Sequence, residues 1–316
     1  MKNQILLSLL AAGILLAGCS KSENEGGEGP VHGDGQLVAI RLSSGIWDAA
    51  KAGSKAPVTA EAPATVQIEG WESSTGAADY TATTSKWQST AAVTVSETAA
   101  AITLSPVQFY NADENIKTYI KGWYPAVASA DGKVTFTNTD GTVDVLYATE
   151  VSGDKTETGK VNQPLVFNHK SAQLVFKVKK GEGLAAGTKI KTIKVKNTAI
   201  PTSLTLSTNT VNYTDKPELE VPNVTVAEID AEAVAGDPLM VKPVDDNTTV
   251  KLYIETTTDD GTTVAATYDD VALTTSDGKL TEGSAYTVTL TFKQAGISLE
   301  ANITPWTEAT GEGTVI

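Results

Sequence analysis

Hydrophobic and polar residues alternate along most of the chain after residue 36. The alternation is clearest near the C-terminus, where threonines separate Tyr286, Val288, Leu290 and Phe292. The same period of two recurs over residues 36–42, 174–178, 250–254 and 297–303. Such a period places one row of side chains on a core and the other row in water. It therefore predicts β-strands, and in the first of them Val38, Ile40 and Leu42 form the apolar face.

Turn signals separate these segments. Asp-Gly pairs lie between them at Asp131-Gly132, Asp140-Gly141, Asp260-Gly261 and Asp277-Gly278. This pair suits tight hairpin turns, which need a positive φ. Helical periodicity is limited to two short stretches, residues 49–55 and 226–234. Short strands, frequent turns and no alternation of strands with helices predict an all-β protein made of antiparallel sandwiches.

The polar stretches suggest how the chain is divided. Residues 149–160 lack an apolar pattern, so we expect an N-terminal β-sandwich domain over residues 36–160 and a C-terminal one over 161–316. Both have the usual size of a domain. Residues 20–35 are acidic, rich in glycine and have almost nothing to bury. They predict a flexible linker, counted here as residues 19–35.

The first residues have the features of a bacterial lipoprotein signal. Lys2 is followed by an apolar run over residues 5–16 and then by Leu16-Ala17-Gly18-Cys19, which is typical of a lipobox. The run is too short to span a bilayer. We expect cleavage between Gly18 and Cys19, loss of residues 1–18 and acylation of Cys19. An ordinary secretion signal followed by an unrelated cysteine is the alternative.

Composition excludes several classes of partner and chemistry. The 38 acidic residues outnumber the 24 lysines and arginines and give a net charge of −14, which disfavours nucleic acid and anionic lipid surfaces. Cys19 is the only cysteine. Once it is acylated, no disulfide, thiolate nucleophile or cysteine metal site is possible.

Candidate catalytic residues are few. There are two histidines: His32 lies in the linker, and His169 is expected to make a structural hydrogen bond. No Gly-x-Ser-x-Gly motif presents a serine, and the Asp-Gly sites lack the ligand spacing of an EF-hand. We therefore expect no enzyme activity, no cofactor and no metal. A carboxylate pair for glycoside hydrolysis stays open, because many acidic pairs are possible.

An ordered set of segments then suggests a family. Behind the signal and linker come residues 36–42, Lys55-Ala56, and residues 121–125, 144–148, 165–174, 285–290 and 297–306. Together they resemble the fimbrillin family of Bacteroidales, the subunits of type V pili. The resemblance implies two tandem transthyretin-like β-sandwich domains. It also implies a structural subunit or adhesin, exported as a lipoprotein to the outer-membrane surface, whose partners are other fimbrillin subunits and a host or bacterial surface ligand.

The resemblance further implies an assembly route. A trypsin-like surface protease removes the lipidated segment with the first strand, and the vacated groove accepts a donor strand from the next subunit. Here Val38, Ile40 and Leu42 would form the removable strand. Its loss would expose an apolar groove and unpaired backbone groups. The short tail over residues 314–316, which follows the last strand at residues 297–303, could help to fill a neighbour's groove, and a frayed terminus is the alternative.

The cleavage position departs from the family, in which arginine commonly precedes alanine. This chain has Lys55-Ala56 in a stretch of small and polar residues that suits a protease. Lys51 and Arg41 are alternatives, although Arg41 lies inside the predicted strand. Without processing, the protein would be an anchor or accessory subunit that stays lipidated. A surface glycan-binding lipoprotein and a lipoprotein hydrolase remain competing hypotheses.

Overall fold

All regular structure in the described part of the chain is β-strand. The computed structural model describes residues 37–46, 63–81, 84–94, 99–156, 159–276, 278–294 and 296–305. The strands are β1 Leu42–Ile46, β2 Ala64–Ser73, β3 Trp87–Val93, β4 Ala100–Ile102, β5 Lys117–Tyr124, β6 Lys133–Thr135, β7 Leu146–Gly153, β8 Leu165–His169, β9 Ala172–Lys180, β10 Lys189–Thr205, β11 Thr210–Glu220, β12 Ala233–Val234, β13 Leu239–Val241, β14 Lys251–Thr257, β15 Ala266–Ala272, β16 Ser284–Lys293 and β17 Gly296–Pro305. The predicted all-β class is therefore confirmed.

The first sheet has seven strands in the order β3-β2-β5-β7-β8-β1-β4. Its pairings are antiparallel except for β1 with β8, which is parallel. The sheet curls until its two ends meet, because Thr90 of β3 and Ser105 exchange backbone hydrogen bonds of 3.3 and 3.2 Å. The curled sheet encloses a first core that includes Val66, Ile68, Ile120, Leu146, Leu165 and Phe167.

The remaining strands form a sandwich of two sheets. One sheet has the order β11-β10-β14-β15, with β6 also paired to β10. The other has the order β12-β9-β16-β17, with β13 also paired to β9. Alternating apolar side chains from both sheets fill a second core, among them Leu174, Phe176, Ile193, Val195, Leu252, Ile254, Val288 and Leu290. This packing explains why each strand shows the period of two.

A third group of buried side chains lies on the opposite face of the first sheet. This junction cluster contains Trp71, Tyr80, Trp123, Val134, Phe136, Val145, Tyr147, Leu204 and Leu206. Strand β7 shows how the faces divide, because Leu146 and Ala148 belong to the first core and Tyr147 to the junction cluster. Leu204 comes from β10, so the cluster packs the two sheet systems against each other.

Two expectations differ from the observed elements. Residues 226–234 are not helical. Ile229 donates its N–H to Thr188 O at 2.8 Å, and Ala233 of β12 pairs with Val178 of β9. Sheet pairing there overrides the helical spacing of a short segment. The other helical stretch, residues 49–55, lies outside the described residues.

Strand pairing crosses the predicted domain junction at residue 160. Strand β8 lies beyond residue 160 but pairs with β7 and β1, and β6 lies before it but pairs with β10. All strands belong to one compact unit that begins at Gln36. The division into residues 36–160 and 161–316 stays a prediction. The strand pairing indicates that the chain leaves the first sheet and enters the sandwich between His169 and Ala172.

The predicted turns have the expected backbone. Gly132, Gly141, Gly261 and Gly278 all have positive φ, between 70° and 98°. Asp131 also has a positive φ, and Ala130 pairs directly with Lys133. Asp131-Gly132 therefore closes a two-residue hairpin of the mirror-image type, which needs positive φ at both positions.

A buried lysine holds the β10–β11 hairpin against the first sheet. Lys121 of β5 is only 2% exposed, and its Nζ donates to Leu206 O at 2.6 Å and to Asn209 Oδ1 at 2.7 Å. The Glu150 carboxylate lies 3.4 Å away, and the Tyr80 ring centroid 3.9 Å away. Burial lowers the pKa of Lys121, and Glu150 opposes that shift. The ammonium group thus has three oxygen atoms within 3.4 Å.

We expect Lys121→Met to lower the free energy of unfolding by about 1–3 kcal/mol, because the acceptors in the hairpin lose their donor. Lys86→Met is the matched control: Lys86 is 63% exposed and lies 3.8 Å from Glu72. Its loss should cost less than about 1 kcal/mol. Urea denaturation of both variants measures the difference, and equal losses would contradict the role given to Lys121.

Candidate functional site

Residues 38–46, called here the N-terminal segment, belong to the first sheet, and their strand β1 lies inside that sheet rather than at its edge. On one side β1 runs parallel to β8, with Ser44, Gly45 and Ile46 opposite Leu165, Val166 and Phe167. On the other side Leu42, Ser43 and Ser44 face Ile102, Ala101 and Ala100 of β4. The segment therefore has backbone partners on both sides, and we call the space that it fills the slot.

The pairing continues ahead of β1 on one side only. Ile40 N donates to Gln108 O at 2.8 Å, and Tyr110 N donates to Val38 O at 3.0 Å. Ala39 and Phe109 form an isolated bridge between these bonds. The slot is thus bounded by β8 on one side and by residues 100–110 on the other.

Alternation decides which side chains of the segment reach the core. Ile40 is 5% exposed, Leu42 4% and Ile46 1%, whereas Arg41 between them is exposed. Val38 is half-buried and packs against the same first core. The three residues predicted to form the removable strand therefore all face the core. Whether the strand is removed in the cell stays a prediction.

The strand boundary differs from the expected one. The regular strand is Leu42–Ile46, whereas the alternation predicted a strand over residues 36–42. Ser43, Ser44 and Gly45 interrupt the apolar pattern and so hide this part of the strand from sequence reasoning. Ile46, the most deeply buried residue of the segment, was missed for that reason. Its spacing of four residues from Leu42 was the available signal.

Several predicted site residues lie outside the described residues. These are Gly18, Cys19, His32, Lys51, Lys55, Ala56 and the tail over residues 314–316. Lipidation at Cys19 and processing at Lys55-Ala56 therefore stay predictions. Arg41, the alternative cleavage residue, lies between the hydrogen bond of Ile40 and the paired residue Leu42.

His169 contacts a carboxylate within the protein core. Its Nδ1 lies 3.0 Å from Asp144 Oδ1, and both side chains are buried. Asp144 directly precedes the residues that lead into β7, and His169 ends β8, so the contact joins two neighbouring strands. This agrees with the expected structural hydrogen bond.

The described residues offer little to the competing hypotheses. Among them, no group of three or more His, Cys, Asp or Glu side chains is placed to hold a metal ion. Phe109 is their one exposed aromatic side chain, at 39%, so a platform of coplanar aromatics for glycans is not present there. No helix in this part of the chain is long and apolar enough to cross a membrane.

Solved structures share this fold. A Bacteroides uniformis protein, provisionally described as a cell adhesion protein, matches with a TM-score of 0.55 at 19% identity. The match covers 88% of this chain and 100% of that protein. A fimbrial protein of Bacteroides vulgatus gives 0.51 at 15% identity, covering 84% and 99%. A similarly assigned adhesion protein of Bacteroides ovatus gives 0.51 at 14%, covering 87% and 99%. At these identities the likeness shows the fold alone.

The sequence comparison identifies the family. No curated protein matches this chain. The family described as fimbrillin-like matches it over residues 58–306, which is most of its length. This match confirms the resemblance drawn from the ordered segments, and the chain belongs to the fimbrillin-like family.

Proposed function

We propose that the protein is a structural subunit or adhesin of a type V fimbria, exported as a lipoprotein and assembled by protease-triggered donor-strand exchange. Membership of the fimbrillin-like family carries the coarser statement, a fimbrial subunit or adhesin at the cell surface that assembles with other subunits. The exchange step is supported by one observation. The apolar row of the N-terminal segment faces the core, its strand β1 is paired on both sides, and residues 47–63 separate it from β2 in the sequence.

Loss of the segment would remove much of the hydrophobic stabilisation of the first core, and a new strand in the slot would restore it. Burying one Ile or Leu side chain is worth about 1.5–3 kcal/mol, so Ile40, Leu42 and Ile46 together contribute about 5–9 kcal/mol. That is comparable with the whole stability of a typical domain. The vacated slot would also present two rows of unpaired backbone groups, which favours the addition of another strand.

The topology supports a slot that persists when empty. Strand β8 stays paired to β7 and is further joined to Asp144 through His169. On the far side, Ser105 stays bonded to Thr90 of β3. Both walls of the slot are therefore held by contacts that do not involve the N-terminal segment.

A second segment of the chain repeats the pattern of the first. Ile40, Leu42, Ser44 and Ile46 occur at alternate positions, and so do Ile297, Leu299, Ala301 and Ile303. The latter belong to β17, the end strand of its sheet, which pairs with β16 in the described structure. A second copy of this chain thus contains a strand whose apolar row matches the slot.

We expect trypsin cleavage after Lys55 to convert the monomer into SDS-resistant ladders or filaments. The double variant Lys51→Gln/Lys55→Gln should stay monomeric under the same treatment, because it has neither lysine at which trypsin could detach the N-terminal segment. Lys51→Gln is the matched control and should assemble like the unchanged chain. Gel electrophoresis and electron microscopy measure assembly, and mass spectrometry locates the cut. Persistent monomers after clean removal of residues up to Lys55 would overturn the exchange mechanism.

The state of the protein on cells gives an independent prediction. N-terminal sequencing of protein sheared from intact cells should begin at Ala56, because the protease would separate the subunit from its lipid anchor. A blocked, acylated N-terminus at Cys19 would instead identify an anchor subunit that keeps its first strand. In that case Cys19→Ala should release the protein from the membrane fraction.

A further inference from the structure

One position in the inward row of the N-terminal segment is polar. The row consists of Val38, Ile40, Leu42, Ser44 and Ile46. Ser44 is only 3% exposed, and its Oγ has no hydrogen-bond partner. A buried hydroxyl without a partner costs about 1–3 kcal/mol relative to water, because the bonds to water are not replaced. The resident strand therefore contains one unfavourable contact with its own slot.

The surroundings of Ser44 explain why its hydroxyl has no partner. Its direct cross-strand neighbours are Leu165 on β8 and Ala100 on β4. Residues directly opposite each other share one face of the sheet, so both neighbouring side chains are aliphatic. Leu165 is fully buried in the first core. The pocket at this position is apolar and offers no acceptor or donor from these two neighbours.

The same part of the segment is weakly paired. Strand β1 forms three residue pairs with β4 and three with β8, whereas β2 forms seven with each of its neighbours. Parallel pairing, as between β1 and β8, is slightly less stable per residue. Gly45 follows Ser44 and adds no side chain to the packing. Strand β1 is thus held by fewer residue pairs than a central strand of the same sheet.

We propose that Ser44 makes the resident strand a replaceable occupant of its slot, and that the slot prefers an incoming β-strand with a small apolar residue at this position. This inference rests on the proposed exchange function. It predicts which strand binds the slot more tightly. Alanine is about as small as serine but has no hydroxyl to bury, so an incoming strand with alanine at this position is favoured over the resident strand. Residues 297–303 carry alanine at the corresponding position of their pattern, Ala301.

The first test uses the full, uncut chain. Ser44→Ala should raise the thermal unfolding midpoint by about 2 °C or more, because it removes an unpaired buried hydroxyl. Ser43→Ala is the matched control: it makes the same change on the other face of the same strand, at a half-buried position. It should leave the midpoint within about 1 °C of the unchanged chain. An unchanged or lower midpoint for Ser44→Ala would overturn the inference.

The second test measures exchange directly. The chain is cut after Lys55 and mixed with labelled peptides covering residues 37–46, either unchanged or carrying Ser44→Ala or Ser43→Ala. Fluorescence anisotropy gives the peptide concentration that displaces half of the resident segment. The Ser44→Ala peptide should need about 5- to 100-fold less than the unchanged peptide, which corresponds to the cost of the unpaired hydroxyl. The Ser43→Ala peptide should match the unchanged one.

The outcomes separate this inference from the function on which it rests. If all three peptides bind equally well, the slot accepts strands but Ser44 does not set its preference, and only the inference fails. If no peptide binds after mass spectrometry shows that the resident segment has left, the slot does not accept strands. The proposed exchange function then fails, and the inference fails with it.

Discussion

Insertion of the N-terminal segment between β8 and residues 100–110 is the interaction that closes the first sheet over its core. Residues 38–46 satisfy the backbone of β8 on one side and of residues 100–110 on the other, and their apolar row closes the first core. The end strand of another sheet has a different composition. The end strand β11 carries Asp215, Lys216, Pro217 and Glu218, and charges and proline oppose the pairing of a further strand. The walls of the slot, in contrast, are β4 and β8, which contain no Asp, Glu, Lys or Arg.

The remaining packing makes this sheet a stable frame. Strands β2, β5 and β7 are buried on both faces, because the first core lies on one side and the junction cluster on the other. Lys121 adds a polar connection from β5 to Leu206 and Asn209 of the following hairpin. The contacts of the junction cluster and of Lys121 do not use the N-terminal segment. The chain therefore combines a frame that is held from both faces with one strand that is held mainly by its own neighbours.

The sequence predicted most strands because each of them has one face on a core. It was less successful where a strand carries small or polar residues, as at Ser43, Ser44 and Gly45, or where pairing overrides a short helical spacing, as at residues 226–234. The apolar row of Val38, Ile40 and Leu42 was visible, but their neighbours were not. Strand β8 shows the same limit, because the polar connection before Leu165 does not reveal that β8 pairs with β7.

The sequence by itself determined the all-β class, the positive-φ glycines of the Asp-Gly turns and the family, since these depend on local alternation, turn chemistry and the order of segments. It also predicts a lipoprotein signal and lipidation at Cys19. Only the tertiary structure decided that the N-terminal segment lies between β8 and β4, that Ser44 is buried without a hydrogen-bond partner, and that Lys121 connects the two sheet systems. Strand order and the surroundings of a buried polar atom depend on residues up to about 120 positions apart in the chain, and the spacing of hydrophobic residues within one strand contains no information about them.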